Sequence, residues 1–159
     1  MLKAQDIMTR RVSTISQDMA ADAAGEFLSS KGIPSVPVVT DTGPKQKLIG
    51  FLSEADLLQF CANQAYFHHQ DVKVGQLMRR HPYCIGEDVD IFEIARIFMD
   101  TKYRVLPVID REGFLLGIVR RKVVLKSLLD SIRDEDADTL AKMRDKDLHQ
   151  IVNHRFIVG

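Results

Sequence analysis

The chain carries one pattern twice. Residues 6–43 align with 76–113 at a constant offset of 70, which sets Met8 on Met78, Arg10 on Arg80, Ile15 on Ile85, Asp18 on Asp88, Pro37 on Pro107, Val38 on Val108 and Gly43 on Gly113. The offset then falls to 67, because the second copy lacks three residues around Lys45-Gln46-Lys47, and Gly50 aligns with Gly117 and Leu58 with Leu125. A short deletion in a polar turn leaves the flanking elements intact. A duplicated unit of this size predicts two related lobes sharing one core.

Each copy reads as the same set of elements. Asp18 precedes a stretch in which Ala20, Ala23, Ala24, Phe27 and Leu28 recur at three and four spacing, so the sequence predicts a helix capped by Asp18 and ended by Gly32. In the second copy Asp88 or Asp90 caps the equivalent stripe of Ile91, Ile94, Ala95 and Phe98. A β-branched run follows each helix, Val36-Pro37-Val38-Val39 and Val105-Leu106-Pro107-Val108-Ile109, then a turn with Asp41 and Gly43 or Asp110 and Gly113. The proline in each run removes a backbone donor, which predicts an edge strand or one beside a site. Second strands, Leu48 to Leu52 and Phe114 to Val119, are apolar on both faces and call for helical cover, supplied by helices starting near Ser53 and Arg120. The fold class is α/β (α+β), with two βαββα units.

These residues resemble a tandem pair of CBS domains, the Bateman module. The resemblance covers about residues 2–130. It rests on Asp6-Ile7-Met8, the helix, Ile33 to Val39 and Gly50-Phe51-Leu52-Ser53-Glu54-Ala55-Asp56, repeated with variation at Leu77-Met78, Tyr103 to Asp110 and Gly117-Ile118-Val119. It implies two repeats related by pseudo-twofold symmetry, clefts between them, and pairing into a homodimer. The expected division is 1–65 for the first repeat, 66–73 for a linker or helix extension, 74–130 for the second repeat and 131–159 for a C-terminal tail.

Where relatives bind adenosine nucleotides, the resemblance implies that Gly50 to Asp56 supplies the ribose grip. The chemistry fits: the Asp56 carboxylate accepts two hydroxyl hydrogens, and the Ser53 hydroxyl with the first helical N–H groups can hold sugar or phosphate oxygens. The plainer reading is an N-cap serine followed by a favourable first-turn acid. The second copy departs from the pattern, with Arg120 in place of the hydroxyl residue and Val123 in place of the acid. Valine cannot hold a diol. The resemblance further implies a cleft shared between repeats, in which Tyr103, Arg104 and Pro107, together with Arg121 and Lys122, face the acid of the first copy. Arg104 and Lys122, with Arg121 as a further candidate, would meet phosphates, and Pro82-Tyr83-Cys84 would face the adenine. The reciprocal cleft, with Ile33, Pro34 and Val123, has few phosphate ligands, so one competent site per chain is expected.

Other chemistry is poorly supported. With Lys plus Arg at 22 and Asp plus Glu at 22, the net charge is zero, and Arg120-Arg121-Lys122 alone is a thin basis for nucleic-acid binding. No apolar run approaches the roughly 18 to 20 residues of a membrane span, and the N-terminus meets Asp6 before any signal-like apolar segment. The five histidines lack ligand spacing, no catalytic motif occurs, and Cys61 and Cys84 read as reduced, buried thiols in a cytoplasmic protein. Met19 and Met99 read as core fillers. The tail, with Leu140, Met143, Leu148 and Ile151 in a weak stripe, is compatible with a helix, and Phe156-Ile157-Val158 with packing on a partner subunit.

The expected function is regulatory and not enzymatic: a module that binds AMP, ADP, ATP or S-adenosylmethionine between its repeats and modulates a separate protein or its own oligomer, with no catalytic cofactor and no metal. The alternative is a dimerisation scaffold with an empty cleft.

Overall fold

Alternating apolar and helix-periodic segments give both repeats the predicted order. The computed structural model describes residues 1–40, 44–67 and 71–156, with side chains over 1–40, 44–63 and 71–142. The turn at Asp41 to Gly43, the pair His68-His69 and Ile157-Val158 lie outside the described residues, as do the side chains of Met143, Leu148, His149, Ile151, His154 and Phe156.

In the first repeat a one-turn leader helix α1 (Ala4–Ile7) precedes β1 (Ile15–Ser16), α2 (Ala21–Lys31), β2 (Ser35–Val39), β3 (Leu48–Ser53) and α3 (Glu54–Phe67). The second repeats this as α4 (Val74–Leu77), β4 (Arg79–Arg80), β5 (Ile85–Gly86), α5 (Ile91–Asp100), β6 (Val105–Ile109), β7 (Leu115–Arg120) and α6 (Arg121–Phe156). The first sheet runs β1-β2-β3-β4 and the second β5-β6-β7. In each, a parallel pair leads into an antiparallel hairpin. Residues 1–121 form one compact unit and 122–159 another. Among the described residues no helix is long and apolar enough to cross a membrane.

The leaders exchange places. Arg79 and Arg80, which open the second repeat, pair with Phe51 and Gly50 of the first. Thr9, at the same point of the first leader, bridges Ile118 of the second, with Thr9 N donating to Ile118 O at 2.8 Å and Ile118 N to Thr9 O at 3.0 Å. Lys3 likewise bridges Asp90, and Lys73 bridges Ala20. Each lobe therefore closes its core with residues of the other. Val74 and Met78 are buried in the first lobe's cluster beside Ile15, Leu28, Val36, Val38 and Leu52. The glycines at the crossing points make room for this. A Cβ on Gly50 would strike the Met78 sulfur, and one on Gly117 would lie 2.6 Å from Thr9 O.

Several expectations need correction. The prolines are not at edges but beside cavities, the other setting expected for them: Pro37 and Pro107 sit in β2 and β6, each flanked by a strand on either side. They are tolerated because β1 reaches only Val38 and Val39, and β5 only Val108 and Ile109, so neither proline faces the parallel neighbour. Asp18 does not cap α2. The cap position is Ala20, with no side-chain bond, while the Asp18 amide donates to Ser16 Oγ at 3.2 Å. The buried stripe of α2 is Ala21, Ala24 and Leu28, with Ala20 and Ala23 exposed. In α3, Leu57 is buried but Leu58 and Cys61 are exposed, so Cys61 is not a core thiol. Cys84 is half-buried, and burial pushes its thiol pKa up. Met19 packs against the core, whereas Met99 is exposed.

The second copy's cap is a real one. Asp90 Oδ1 accepts from Phe92 N at 2.9 Å and Glu93 N at 3.0 Å, ahead of the buried stripe Ile91, Ile94, Ile97 and Phe98. Asp90→Ala is expected to cost about 1 kcal/mol of stability, measured by urea unfolding. Ala20→Asp, which writes the same cap into α2, is expected to raise it by a similar amount.

Candidate functional site

Where β3 ends and α3 begins, the chain must satisfy the free amides of a new helix. Ser53 and Asp56 do this for each other. Ser53 N and Ser53 Oγ donate to Asp56 Oδ2 at 2.9 and 2.8 Å, and Asp56 N donates back to Ser53 Oγ at 3.3 Å. This is a capping box. The next amide, Glu54 N, donates to Pro34 O at 2.9 Å. The amides of Ser53, Glu54 and Asp56 are therefore engaged within the protein, which narrows the first-turn N–H groups open to a ligand to that of Ala55, a residue of the cavity lining. Both donors from Ser53 fall on one carboxylate oxygen of Asp56 and leave Oδ1 as an uncommitted acceptor.

The segment borders a cavity of about 460 Å³ within the first compact unit, and Asp56 also borders a second one of about 330 Å³ beside Gln59, Phe60 and Gln76. Ser53 and Asp56 line the larger from the first repeat, and Pro82, Tyr83, Tyr103, Arg104 and Pro107 line it from the second. The lining also includes Phe51, Glu54, Leu58, Arg79 and Lys102. Arg121 and Lys122, assigned to phosphates from the sequence, are absent from it. Both are exposed at the start of α6, Arg121 N is engaged by Arg104 O at 3.0 Å, and Lys122 falls in the second unit. Cys84 is likewise not in the lining.

The cations in the cavity are instead Arg79, Lys102 and Arg104. All three are exposed, and among the described residues the ion pairs are Arg96 with Glu93 and Lys142 with Asp138, so none of the three is neutralised by an acid. Arg79 stacks its guanidinium over Tyr103 at 5.5 Å from the ring centroid, and Tyr83 lies against Tyr103 with centroids 6.2 Å apart. The lining brings together the carboxylates of Asp56 and Glu54, a pair of aromatic rings, and three positive charges without acid partners among the described residues. Among the described residues no group of three or more His, Cys, Asp or Glu is placed to hold a metal ion.

Sequence reasoning missed Arg79 and Lys102. Arg79 reaches the cavity only because its leader crosses to β3, which the repeat alignment does not reveal. Lys102 had a signal, in the run Lys102-Tyr103-Arg104, where the first copy has the uncharged Gly32-Ile33-Pro34.

The fold and the paired repeats place the chain among known proteins. The family model of the CBS domain matches residues 4–63 and 74–130, and the chain belongs to the CBS domain family as a tandem pair. It is 29% identical over 158 residues to the chloroplastic CBS domain-containing protein CBSX1 of Arabidopsis thaliana, which covers 82% of the chain and 66% of that protein's length. The crystal structure of CBSX2 in complex with AMP is similar with a TM-score of 0.71 and 30% identity, over 80% of this chain and 96% of that one. The cytosolic domain of the Mg2+ channel MgtE in complex with ATP is similar with a TM-score of 0.64 and 28% identity, over 79% of this chain and 48% of that one.

Proposed function

We propose that this CBS pair is a regulatory module that binds a phosphorylated adenosine nucleotide in the 460 Å³ cavity and passes its occupancy to a second copy of the chain or to a separate protein. The observation that carries the reading is the composition of the lining: the carboxylates of Asp56 and Glu54 together with three cations, Arg79, Lys102 and Arg104, that have no acid partner among the described residues. Asp56 Oδ1 accepts ribose hydroxyls. Tyr83 and Tyr103 supply flat apolar surface for the base, and Arg79, Lys102 and Arg104 supply charge for the phosphates. The relatives solved with AMP and with ATP support the same ligand class.

Thermal denaturation with AMP, ADP, ATP, adenosine and S-adenosylmethionine tests this. A ligand at 100 times its dissociation constant contributes about 2.7 kcal/mol, a clear rise in melting temperature. No rise with any of them at millimolar concentration returns the protein to the scaffold class. The double variant Lys102→Ala with Arg104→Ala is expected to weaken ATP by about fivefold for each cation removed, at roughly 1 kcal/mol apiece, and to leave adenosine unchanged. Equal losses for ATP and adenosine would contradict the assignment of these cations to phosphates.

A further inference from the structure

The cavity has a mate generated by the internal repeat. Carried across the offset, Pro82 corresponds to Val12, Tyr83 to Ser13, Tyr103 to Ile33, Arg104 to Pro34, Phe51 to Ile118 and Ser53 to Arg120. All six of these residues line one other cavity, also within the first compact unit, but its volume is about 90 Å³. Ligand pockets usually measure about 300 to 1,000 Å³, and a water occupies about 30 Å³ of liquid, so the mate has room for a few waters and none for a nucleoside.

The cause can be read from the substitutions. Ser for Tyr, Ile for Tyr, Pro for Arg and Ile for Phe reduce side-chain bulk and Val for Pro changes it little, so these five do not account for the smaller volume. Arg120 in place of Ser53 is the one of the six that adds much bulk, and beside it Arg11, the counterpart of His81, lines the mate but has no equivalent in the first cavity. The Arg120 guanidinium is also held. Arg120 Nη1 donates to Thr9 Oγ1 at 3.0 Å, a bond between residues 111 apart in sequence, and Thr9 is itself fixed by its paired backbone bonds to Ile118. Where Ser53 folds back to cap a helix and leaves its cavity clear, Arg120 reaches to the other repeat's leader.

We infer that Arg120 is an internal plug that closes the mate cleft and limits the chain to one nucleotide. The limit of one nucleotide rests on the nucleotide reading proposed above; the closure does not. It follows that the two repeats, although equivalent in fold, are unequal in access, and that the asymmetry is set mainly by one side chain.

Maleimide labelling tests the closure without any nucleotide. Ile118 lines the mate cavity and is 6% exposed, so Ile118→Cys should label slowly, and Ile118→Cys combined with Arg120→Ser at least tenfold faster, read at that peptide by mass spectrometry. The exposed Cys61 provides the reference rate in both chains. Should Ile118→Cys prove unstable, Ser13→Cys is nearly isosteric, lines the same cavity and makes the same comparison. Equal rates with and without Arg120 overturn the plug. In a calorimetric titration with AMP the unmodified chain should take up one equivalent, and a second equivalent of similar affinity would also overturn it. Uptake of none counts against the nucleotide reading, and labelling then decides the closure by itself.

Discussion

Replacing Asp56 with asparagine is expected to weaken adenosine nucleotide binding tenfold or more while the unliganded protein keeps nearly its full stability. The two effects separate because the two carboxylate oxygens have different employment. Oδ2 accepts both donors of Ser53 and holds the start of α3, and the asparagine carbonyl oxygen can take over that task. The other position becomes an NH2 group, which donates and cannot accept from ribose hydroxyls. Loss of charged hydrogen bonds costs about 1.5 to 3 kcal/mol, which is tenfold or more in affinity. Asp56→Ala, by contrast, loses the cap as well and should destabilise the free protein by about 1 kcal/mol. Calorimetry with AMP and thermal denaturation of both variants measure the two effects independently. Unaltered affinity in Asp56→Asn would remove this carboxylate from the site, and equal destabilisation by both variants would mean that the capping box does not survive the amide.

The dual employment of Asp56 also explains how far the sequence could be read. Its two interpretations, cap and ligand acceptor, are rivals when only the spacing is known. In the structure the cap uses Oδ2 and leaves Oδ1 without a bond among the described residues, so the two roles are compatible. The repeat made the fold legible because a pattern that recurs over residues 6–43 and 76–113 constrains every element twice. It hid what the two copies do not share. Lys102 stands where the first copy has Gly32, and Arg79 where it has Thr9. Nor does an alignment of copies say which sheet a leader joins. The exchange of leaders is a tertiary event, driven by burying Val74 and Met78 under the first lobe's sheet, and it is what delivers Arg79 to the cavity. Arg121 and Lys122 were attractive for their charge, but the backbone at the start of α6 is tied to Arg104 O and their side chains stand in solvent.

The exchange leads to the largest stability effect expected for a single methyl group. At Gly117 an added Cβ would lie 2.6 Å from Thr9 O, 3.1 Å from Met8 Sδ and 3.2 Å from Thr9 C. Two of these three atoms are backbone, so no rotamer change relieves the clash. The leader must move away from β7, which strains or breaks the paired bonds at 2.8 and 3.0 Å between Thr9 and Ile118. Overpacking costs about 1 to 3 kcal/mol, each bond contributes about 1 kcal/mol net, and the reduced freedom of alanine in the unfolded chain returns about 0.4 to 1 kcal/mol. Gly117→Ala is therefore expected to lose about 3 kcal/mol, a fall of roughly 6 to 12 °C in melting temperature for a chain of this size. Gly50→Ala makes the informative comparison. Its nearest obstacle is the Met78 side chain, which can turn aside, and the Arg79 carbonyl is farther, at 3.2 Å. It should lose less stability than Gly117→Ala but disturb β4, and with it Arg79 in the cavity, so its cost should appear in nucleotide affinity. A Gly117→Ala protein that melts within about 2 °C of the unmodified chain would mean that the leader is held elsewhere than at this crossing. It would also undo the account of Thr9 as a fixed anchor for Arg120.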